Sequence, residues 1–288
     1  MLYSLLITLR EGFEIALVVA LILAYLKRTE NEDRFSYVWL GTFGAAGLCL
    51  LVALGLELTA SELSGAAQEA FEGFAMLFAA GVLTWMVFWM RRQASSLGRD
   101  LRERVSVTLE KGSMAALVLL TFTAVAREGL ETVLFLFAGS SSQSGSTALY
   151  LTGGVAGFAV AAVLGYVVYR GSRVLPMRQF FSVTGIAVLV LGAGLISNGL
   201  AELHESGLIA SLGARPWDTE GLVASTSTLG KFLHTLLGYD SAPTWGQIAI
   251  YWTYLVAGLT AFQLGLGVPK PRAATLPAAN GAQGRPLS

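Results

Sequence analysis

The sequence predicts an all-α integral membrane protein with seven transmembrane helices, the N-terminus outside and the C-terminus inside. It further predicts two inverted three-helix repeats plus a seventh helix. Three observations carry this reading. The 288 residues are 54% hydrophobic and only 13% charged, with a mean hydropathy of +0.63, whereas soluble chains carry roughly 25% charged residues. Seven apolar runs approach the ~20 residues needed to cross a ~30 Å hydrocarbon core. The pentad Arg10-Glu11-Gly12-Phe13-Glu14 recurs as Arg127-Glu128-Gly129-Leu130-Glu131, each copy inside such a run.

The runs are taken in order. The first extends from Leu2 to Leu26 and ends at Lys27-Arg28. With no basic stretch before it and no small-residue cleavage site after it, it reads as a retained span. The second covers Tyr37 to Leu56, and the third covers Phe71 to Met90 before Arg91-Arg92. The fourth, fifth, sixth and seventh cover Met114 to Ala138, Ala148 to Tyr169, Phe180 to Ala201 and Trp245 to Leu266. The expected plan is a single transmembrane domain over 1–267. Its parts are repeat one at 1–90, repeat two at 114–201, an outer segment at 202–244 and the seventh helix at 245–267. A Pro-, Ala- and Gly-rich tail over 268–288 lacks apolar periodicity and is expected to be disordered in the cytoplasm.

Orientation follows from the basic residues. Lys27, Arg28, Arg34, Arg91, Arg92, Arg99, Arg102, Arg104, Lys111, Arg170, Arg173, Arg178, Lys270, Arg272 and Arg285 fall on one side. Only Arg215 and Lys231 fall on the other. The positive-inside rule then sets the topology. The outer side is acidic, and such a field concentrates cations at its mouth. The competing reading is a solvated surface that is acidic only because topology excludes Lys and Arg. Glu69 and Glu72 stand out, being i,i+3 at the start of a span. Glu202, His204 and Glu205 lie on the same side after span six.

Connecting segments carry two further patterns. Leu97, Leu101, Val105 and Leu109 are spaced by four, which predicts a short amphipathic helix on the inner surface. Leu229, Phe232, Leu233, Leu236 and Leu237 predict a helix on the outer rim, with His234 near its polar side. Gly41, Gly44, Gly47, Gly153, Gly157, Gly185, Gly192 and Gly194 let helices approach closely, which is a packing signal. Cys49 stands alone, so no intramolecular disulfide or Cys-based zinc site exists.

The pentads are three spans apart, so the second is inverted relative to the first. That is a common ground plan of secondary transporters, with the site at the repeat interface. At ~1.5 Å per residue, Glu11 and Glu14 lie roughly 13–18 Å below the outer end of their span. Glu128 and Glu131 lie roughly 10–15 Å below the outer end of theirs. A charge at such depth costs at least ~2.5–3.5 kcal/mol on insertion scales. Within each pentad, i,i+3 and i,i+4 spacing puts Arg and both Glu residues on a broad helix face. Four carboxylates suit a hard cation, with Arg10 and Arg127 orienting them. A buried Arg–Glu brace between helices would explain one such pair. It explains poorly an identical, inverted pair at matching depth.

The leading function is therefore transport of a hard multivalent cation. A proton-coupled carrier of another divalent cation or small solute would use the glutamates as proton relays, but the mid-spans are thin in polar groups. A membrane-embedded metal-dependent oxidase of the di-iron type would need Glu-x-x-His on two helices, and no span contains histidine. Haem ligation by His204 and His234 has no supporting motif.

The doubled Arg-Glu-Gly-x-Glu pentad resembles the signature of the oxidase-dependent iron permeases. That family includes the fungal high-affinity iron permease and the bacterial Efe-type ferrous iron permease. Leu83 to Arg91, Ala124 to Glu131 and Phe71-Glu72-Gly73 are similar to the bacterial branch, while Phe13 replaces a usual Leu. The resemblance implies an iron ion, ferrous or ferric, as cargo in a cell inner membrane, and no permanently bound cofactor. It implies a non-enzymatic permease whose iron is oxidised outside by a partner. In bacteria the implied partners are a periplasmic iron-binding protein and a haem peroxidase. It assigns the permeation site to Arg10, Glu11, Glu14, Arg127, Glu128 and Glu131.

Overall fold

The computed structural model describes residues 1–93, 97–110, 113–141, 147–171, 177–224, 227, 230, 233–234 and 238–265. Eight α-helices occur among them, with no strand: α1 (Leu2–Arg28), α2 (Phe35–Glu62), α3 (Ala66–Gln93), α4 (Leu97–Glu110), α5 (Met114–Ser141), α6 (Thr147–Tyr169), α7 (Met177–Glu205) and α8 (Trp245–Gln263). Each predicted span lies on its own helix. Several helices run on into polar flanks, because backbone hydrogen bonding continues where the apolar run stops. Thr244 starts α8 with a capping box to Gln247, satisfying donors that a helix start leaves orphaned.

Four of these stretches are long and apolar enough to cross a membrane on length and composition alone: 32–62, 66–91, 147–169 and 179–205. α1 and α5 are equally long, but each carries three pentad charges. On α2 and α6, Phe43, Leu51 and Val155 are 68–69% exposed. Apolar surface of that extent suits hydrocarbon rather than water.

The helices pair as α1 with α6, α2 with α5 and α3 with α7. α1 also crosses α5, and α8 packs on α7. These contacts recur in matched register. A shift of 117 residues carries Arg10 onto Arg127 and Ser4 onto Thr121. A shift of 112 carries Gly41 onto Gly153, Cys49 onto Ala161, Gly73 onto Gly185 and Val87 onto Gly199. Gly41 abuts Val118, Thr121 and Phe122 on α5, and Gly153 abuts Met1 and Ser4 at the start of α1. Gly12 faces Phe158 and Ala161 on α6, and Gly129 faces Cys49 on α2. Gly73 crosses Gly199, and Gly185 meets Val87. With no hydrophobic force between helices in lipid, such close backbone approach supplies the packing.

α4 folds back on the bundle, against the C-terminal end of α1 and the start of α5. Leu101 and Val105 are buried with Ile22, Leu26, Val38 and Leu117, and Leu109 packs at their edge. Leu101, Val105 and Leu109 of the stripe are thus packed against α1, α2 and α5 rather than left for the membrane surface. Of the predicted outer-rim helix over 229–237, only Gly230, Leu233 and His234 are described. His234 Nδ1 lies 2.7 Å from the Tyr239 carbonyl oxygen. The tail over 268–288 lies outside the described residues.

Candidate cation site at the crossing of α1 and α5

Among the described residues, every charged side chain that is fully buried belongs to a pentad. Arg10 is 1% exposed, Glu11 0%, Glu14 4% and Glu128 8%. Two tyrosines hold the crossing that brings them together. Tyr3 on α1 donates its hydroxyl to the Phe135 carbonyl at 2.9 Å, with its ring against Gly139. Tyr150 on α6 donates to the Leu136 carbonyl at 2.6 Å, and its own carbonyl accepts from Ser4 at 2.7 Å.

Glu11, Glu128 and Glu131 each direct a carboxylate oxygen into one cluster, all within 4.8 Å of one another. Glu14 lies outside that group. Its Oε1 is 3.7 Å from Arg10 Nε, across one helical turn. In the second pentad, Arg127 Nε donates to Glu131 at 3.2 Å and lies 3.9 Å from Glu128. All six charged groups are electrostatically coupled. Fully ionised, four carboxylates and two guanidinium groups leave a net negative charge.

Many of their polar atoms are unsatisfied. Both Glu11 oxygens, one oxygen each of Glu14, Glu128 and Glu131, and Arg10 Nε and one of its terminal nitrogens are buried without a hydrogen bond. Buried polar atoms are paired in the great majority of cases. Oxygens left bare in a negative pocket match a hard cation, which prefers oxygen ligands and offsets the charge.

The two arginines differ. Arg10 is enclosed, whereas Arg127 is 37% exposed and its guanidinium carbon lies 4.1 Å from the Trp89 ring centroid. Trp85 stacks on Trp89 at 5.9 Å. The sequence analysis missed this aromatic support. Its available signal was two Trp residues one turn apart in the third span. Phe13 also has a visible role: it packs on Phe180 at 4.5 Å and Phe181 at 6.0 Å, tying the first pentad to α7.

The acidic residues Glu69, Glu72, Glu202 and Glu205 form a separate group. Glu202 is within electrostatic range of Glu205, Glu72 and Glu69, and Glu72 accepts a hydrogen bond from Gln68 at 2.9 Å. His204 Nδ1 lies 2.8 Å from the Ile209 carbonyl oxygen, at the end of α7.

Fold and site together define a polytopic membrane permease, a helical bundle whose buried charges line a crossing of two helices. The chain belongs to the iron permease FTR1 family, whose description matches residues 1–274. It is 37% identical over 261 residues to the ferrous iron permease EfeU of Shigella sonnei, covering 90% of this chain and 94% of that one. The EfeU of Escherichia coli O157:H7 gives the same identity and coverage. That of Yersinia pestis is also 37% identical, over 90% and 92% of the two chains. No solved structure matches the chain. The protein is accordingly a transporter and not an enzyme, multi-pass in the bacterial inner membrane.

Proposed function

We propose that the protein carries iron across the cytoplasmic membrane into the cell, with the ion held between the two pentads. The observation that supports this most is the three-carboxylate cluster, contributed by two different helices, in which both Glu11 oxygens and one oxygen each of Glu128 and Glu131 are buried without a protein donor. Glu11, Glu128 and Glu131 are the direct ligands in this reading. Glu14 is a fourth carboxylate at reserve distance, held by Arg10. Release of Glu14 from Arg10 would let it take over the ion as it leaves the cluster.

The chain crosses the membrane seven times, by α1, α2, α3, α5, α6, α7 and α8, with the N-terminus outside. α1–α3 and α5–α7 form inverted repeats, a reading supported by the matched contacts of α1 with α6 and α2 with α5. The acidic group of Glu69, Glu72, Glu202 and Glu205, with His204 beside it, collects the ion at the outer mouth. Ferrous iron is oxidised there by an external partner, a haem peroxidase acting with a periplasmic iron-binding protein. The permease itself keeps no permanently bound cofactor.

Radioactive iron uptake into inside-closed vesicles tests the assignment. Glu11→Gln and Glu128→Gln should each reduce uptake at least tenfold at unchanged membrane abundance. Uptake at the unsubstituted rate in both would overturn the pentads as the ion path. Uptake blocked equally by manganese or zinc would assign the site to divalent cations in general.

A further inference from the structure

A shift of 117 residues carries Glu11 onto Glu128 and Glu14 onto Glu131, and the reverse shift returns them. The pair Glu11 and Glu128, one residue from each helix, is therefore its own image under the exchange of α1 with α5. The cluster of Glu11, Glu128 and Glu131 is not. Its image is Glu128, Glu11 and Glu14. Contacts around the crossing obey the same exchange: Gly41 against α5 is matched by Gly153 against α1, and Gly12 against α6 by Gly129 against α2.

α1 and α5 run antiparallel. Tyr3, at the start of α1, meets Phe135 and Gly139 near the end of α5, while Ile22 and Leu26 share a buried cluster with Leu117 at its start. Glu131 therefore lies about 4.5 Å to one side of the Glu11–Glu128 pair along the helix axes, and Glu14 about 4.5 Å to the other, at ~1.5 Å per residue. Both are electrostatically coupled to that pair. Glu11, Glu14 and Glu128 are all buried. Both oxygens of Glu11, and one each of Glu14 and Glu128, have no hydrogen-bond partner. Unpaired buried oxygens thus lie on both sides of the central pair, although such atoms are ordinarily satisfied.

The arginines distinguish the two sides. Arg127 has a resting place away from the carboxylates, its guanidinium carbon 4.1 Å from the Trp89 ring centroid. A shift of 112 residues carries Trp85 onto Ser197 and Trp89 onto Ala201, so α7 offers Arg10 no indole at the matching positions. Arg10 is 1% exposed, with its Nε 3.7 Å from Glu14 and two of its nitrogens unbonded. A buried guanidinium so poorly hydrogen-bonded is held by charge, as a cation among carboxylates. Arg10 is also within electrostatic range of Glu131, so it has a second carboxylate to turn to.

We propose that Glu11, Glu128 and Glu14 form a second cation subsite, and that Arg10 is a tethered cation filling it until the transported ion displaces it. This rests on the reading of the first cluster as the iron site. The second subsite offers the same ligand set and takes the same hard cation. An ion that trades Glu131 for Glu14 keeps Glu11 and Glu128 throughout. It advances along the helix axes without losing its central ligands. Arg10 makes the opposite trade, leaving Glu14 for the vacated Glu131, so no buried carboxylate is left without a positive partner.

Equilibrium dialysis of the purified full chain against radioactive iron tests it, once with iron kept ferrous by ascorbate and once with ferric citrate. The unsubstituted protein should bind one ion. Glu131→Gln should weaken binding at least tenfold, because it dismantles the first cluster while Arg10 still fills the second subsite. Adding Arg10→Gln to Glu131→Gln vacates that subsite and should restore most of the lost affinity. Adding Arg127→Gln instead removes the same formal charge and should restore none. Rescue by both double variants would reduce the effect to net charge, and rescue by neither would leave Glu14 outside any site. Either result overturns the proposal. Arg10→Met, which keeps much of the buried stem, should rescue as Arg10→Gln does. Failure of both Arg10 substitutions in chains that unfold at the temperature of Glu131→Gln overturns the proposal independently of folding. Undiminished binding by Glu131→Gln, or no binding of either form of iron by the unsubstituted protein, would overturn the first cluster instead. The two readings thus fail by different results.

Discussion

The guanidinium carbon of Arg127 lies 4.1 Å from the ring centroid of Trp89, and Trp85 stacks behind that indole. Arg127 is thus held from two sides, by Glu131 through a hydrogen bond and by the indole face. Its counterpart Arg10 is enclosed by the bundle with Glu14 as its one ion-pair partner among the described residues. A cation–π contact is worth about 0.5–2 kcal/mol, more when desolvated. Trp89→Leu should therefore weaken the hold on Arg127 and reduce iron uptake several-fold, while Trp89→Phe keeps part of it. Initial-rate uptake at equal membrane abundance checks the order. Equal rates in both variants and the unsubstituted protein would show that the indole does not position the arginine.

A Cβ built on Gly129 would lie 2.5 Å from Cys49 Sγ, and one on Gly12 would lie 2.7 Å from Phe158 Cδ1. The two glycines occupy equivalent positions, but their neighbours differ. Cys49 is buried, whereas Phe158 is 41% exposed and its ring can swing outward. Overpacking costs about 1–3 kcal/mol when the neighbour cannot yield. Gly129→Ala should therefore lower thermal stability more than Gly12→Ala. Adding Cys49→Ala should restore much of the Gly129→Ala loss, since it removes the obstructing sulfur. Thermal unfolding in detergent measures the cycle, and no rescue by Cys49→Ala would place the cost elsewhere.

The tyrosines at the helix crossing supply a third expectation. Tyr3 is 3% exposed and donates to the Phe135 carbonyl. Tyr3→Phe preserves the ring against Gly139 but removes the donor, leaving a carbonyl that α5 already uses internally. Leaving a buried group unsatisfied costs about 1–3 kcal/mol. The shared carbonyl puts this case at the low end. Thermal stability should fall slightly, and iron uptake should fall with it only if α1–α5 alignment sets the carboxylate cluster. A stability loss as large as that of Tyr3→Ala would contradict the hydrogen bond as the smaller part of this contact.

The positions of the helices were legible because each is an unbroken apolar run punctuated by basic residues. The pentads were legible for the opposite reason, as costly charges inside such runs. Helix pairing was less so. α2 and α6 are apolar nearly all round, so no periodicity marks the face that meets α5 or α1. Only the glycines at Gly41 and Gly153 hinted at it. The separation of Glu14 from the other carboxylates was hidden as well. Spacing of i,i+3 and i,i+4 puts Arg10, Glu11 and Glu14 on one face, and only the partner helix decides which carboxylate turns inward. Trp89 reads from sequence like any aromatic residue in a span.

Topology can be tested with the lone cysteine removed. In a Cys49→Ala background, Ser61→Cys should react with a membrane-impermeant thiol reagent in intact cells, because Ser61 is exposed near the end of α2 on the proposed outer side. Thr29→Cys, exposed just after α1, should react only after the cells are opened. The reverse pattern would invert the assigned orientation and put the acidic group of Glu69, Glu72, Glu202 and Glu205 in the cytoplasm.

Glu11 and Glu14 offer the sharpest contrast within one pentad. Glu11 has no protein hydrogen bond on either oxygen and joins Glu128 and Glu131 within 4.8 Å. Glu14 faces Arg10 at 3.7 Å. Glu11→Gln removes a proposed ion ligand and one of three crowded carboxylates, which relieves repulsion in the protein without its cargo. Abundance and thermal stability should hold or rise while uptake falls at least tenfold. Glu14→Gln instead strips Arg10, which is 1% exposed, of its charge partner. Breaking a buried pair from one side costs about 3–5 kcal/mol, so this variant should lose stability as well as uptake. Pairing Glu14→Gln with Arg10→Gln removes both charges and should recover stability without recovering transport. Measuring abundance, unfolding temperature and iron uptake on the three variants separates the roles. If Glu11→Gln destabilised as strongly as Glu14→Gln, the cluster would be bracing helices rather than awaiting a cation.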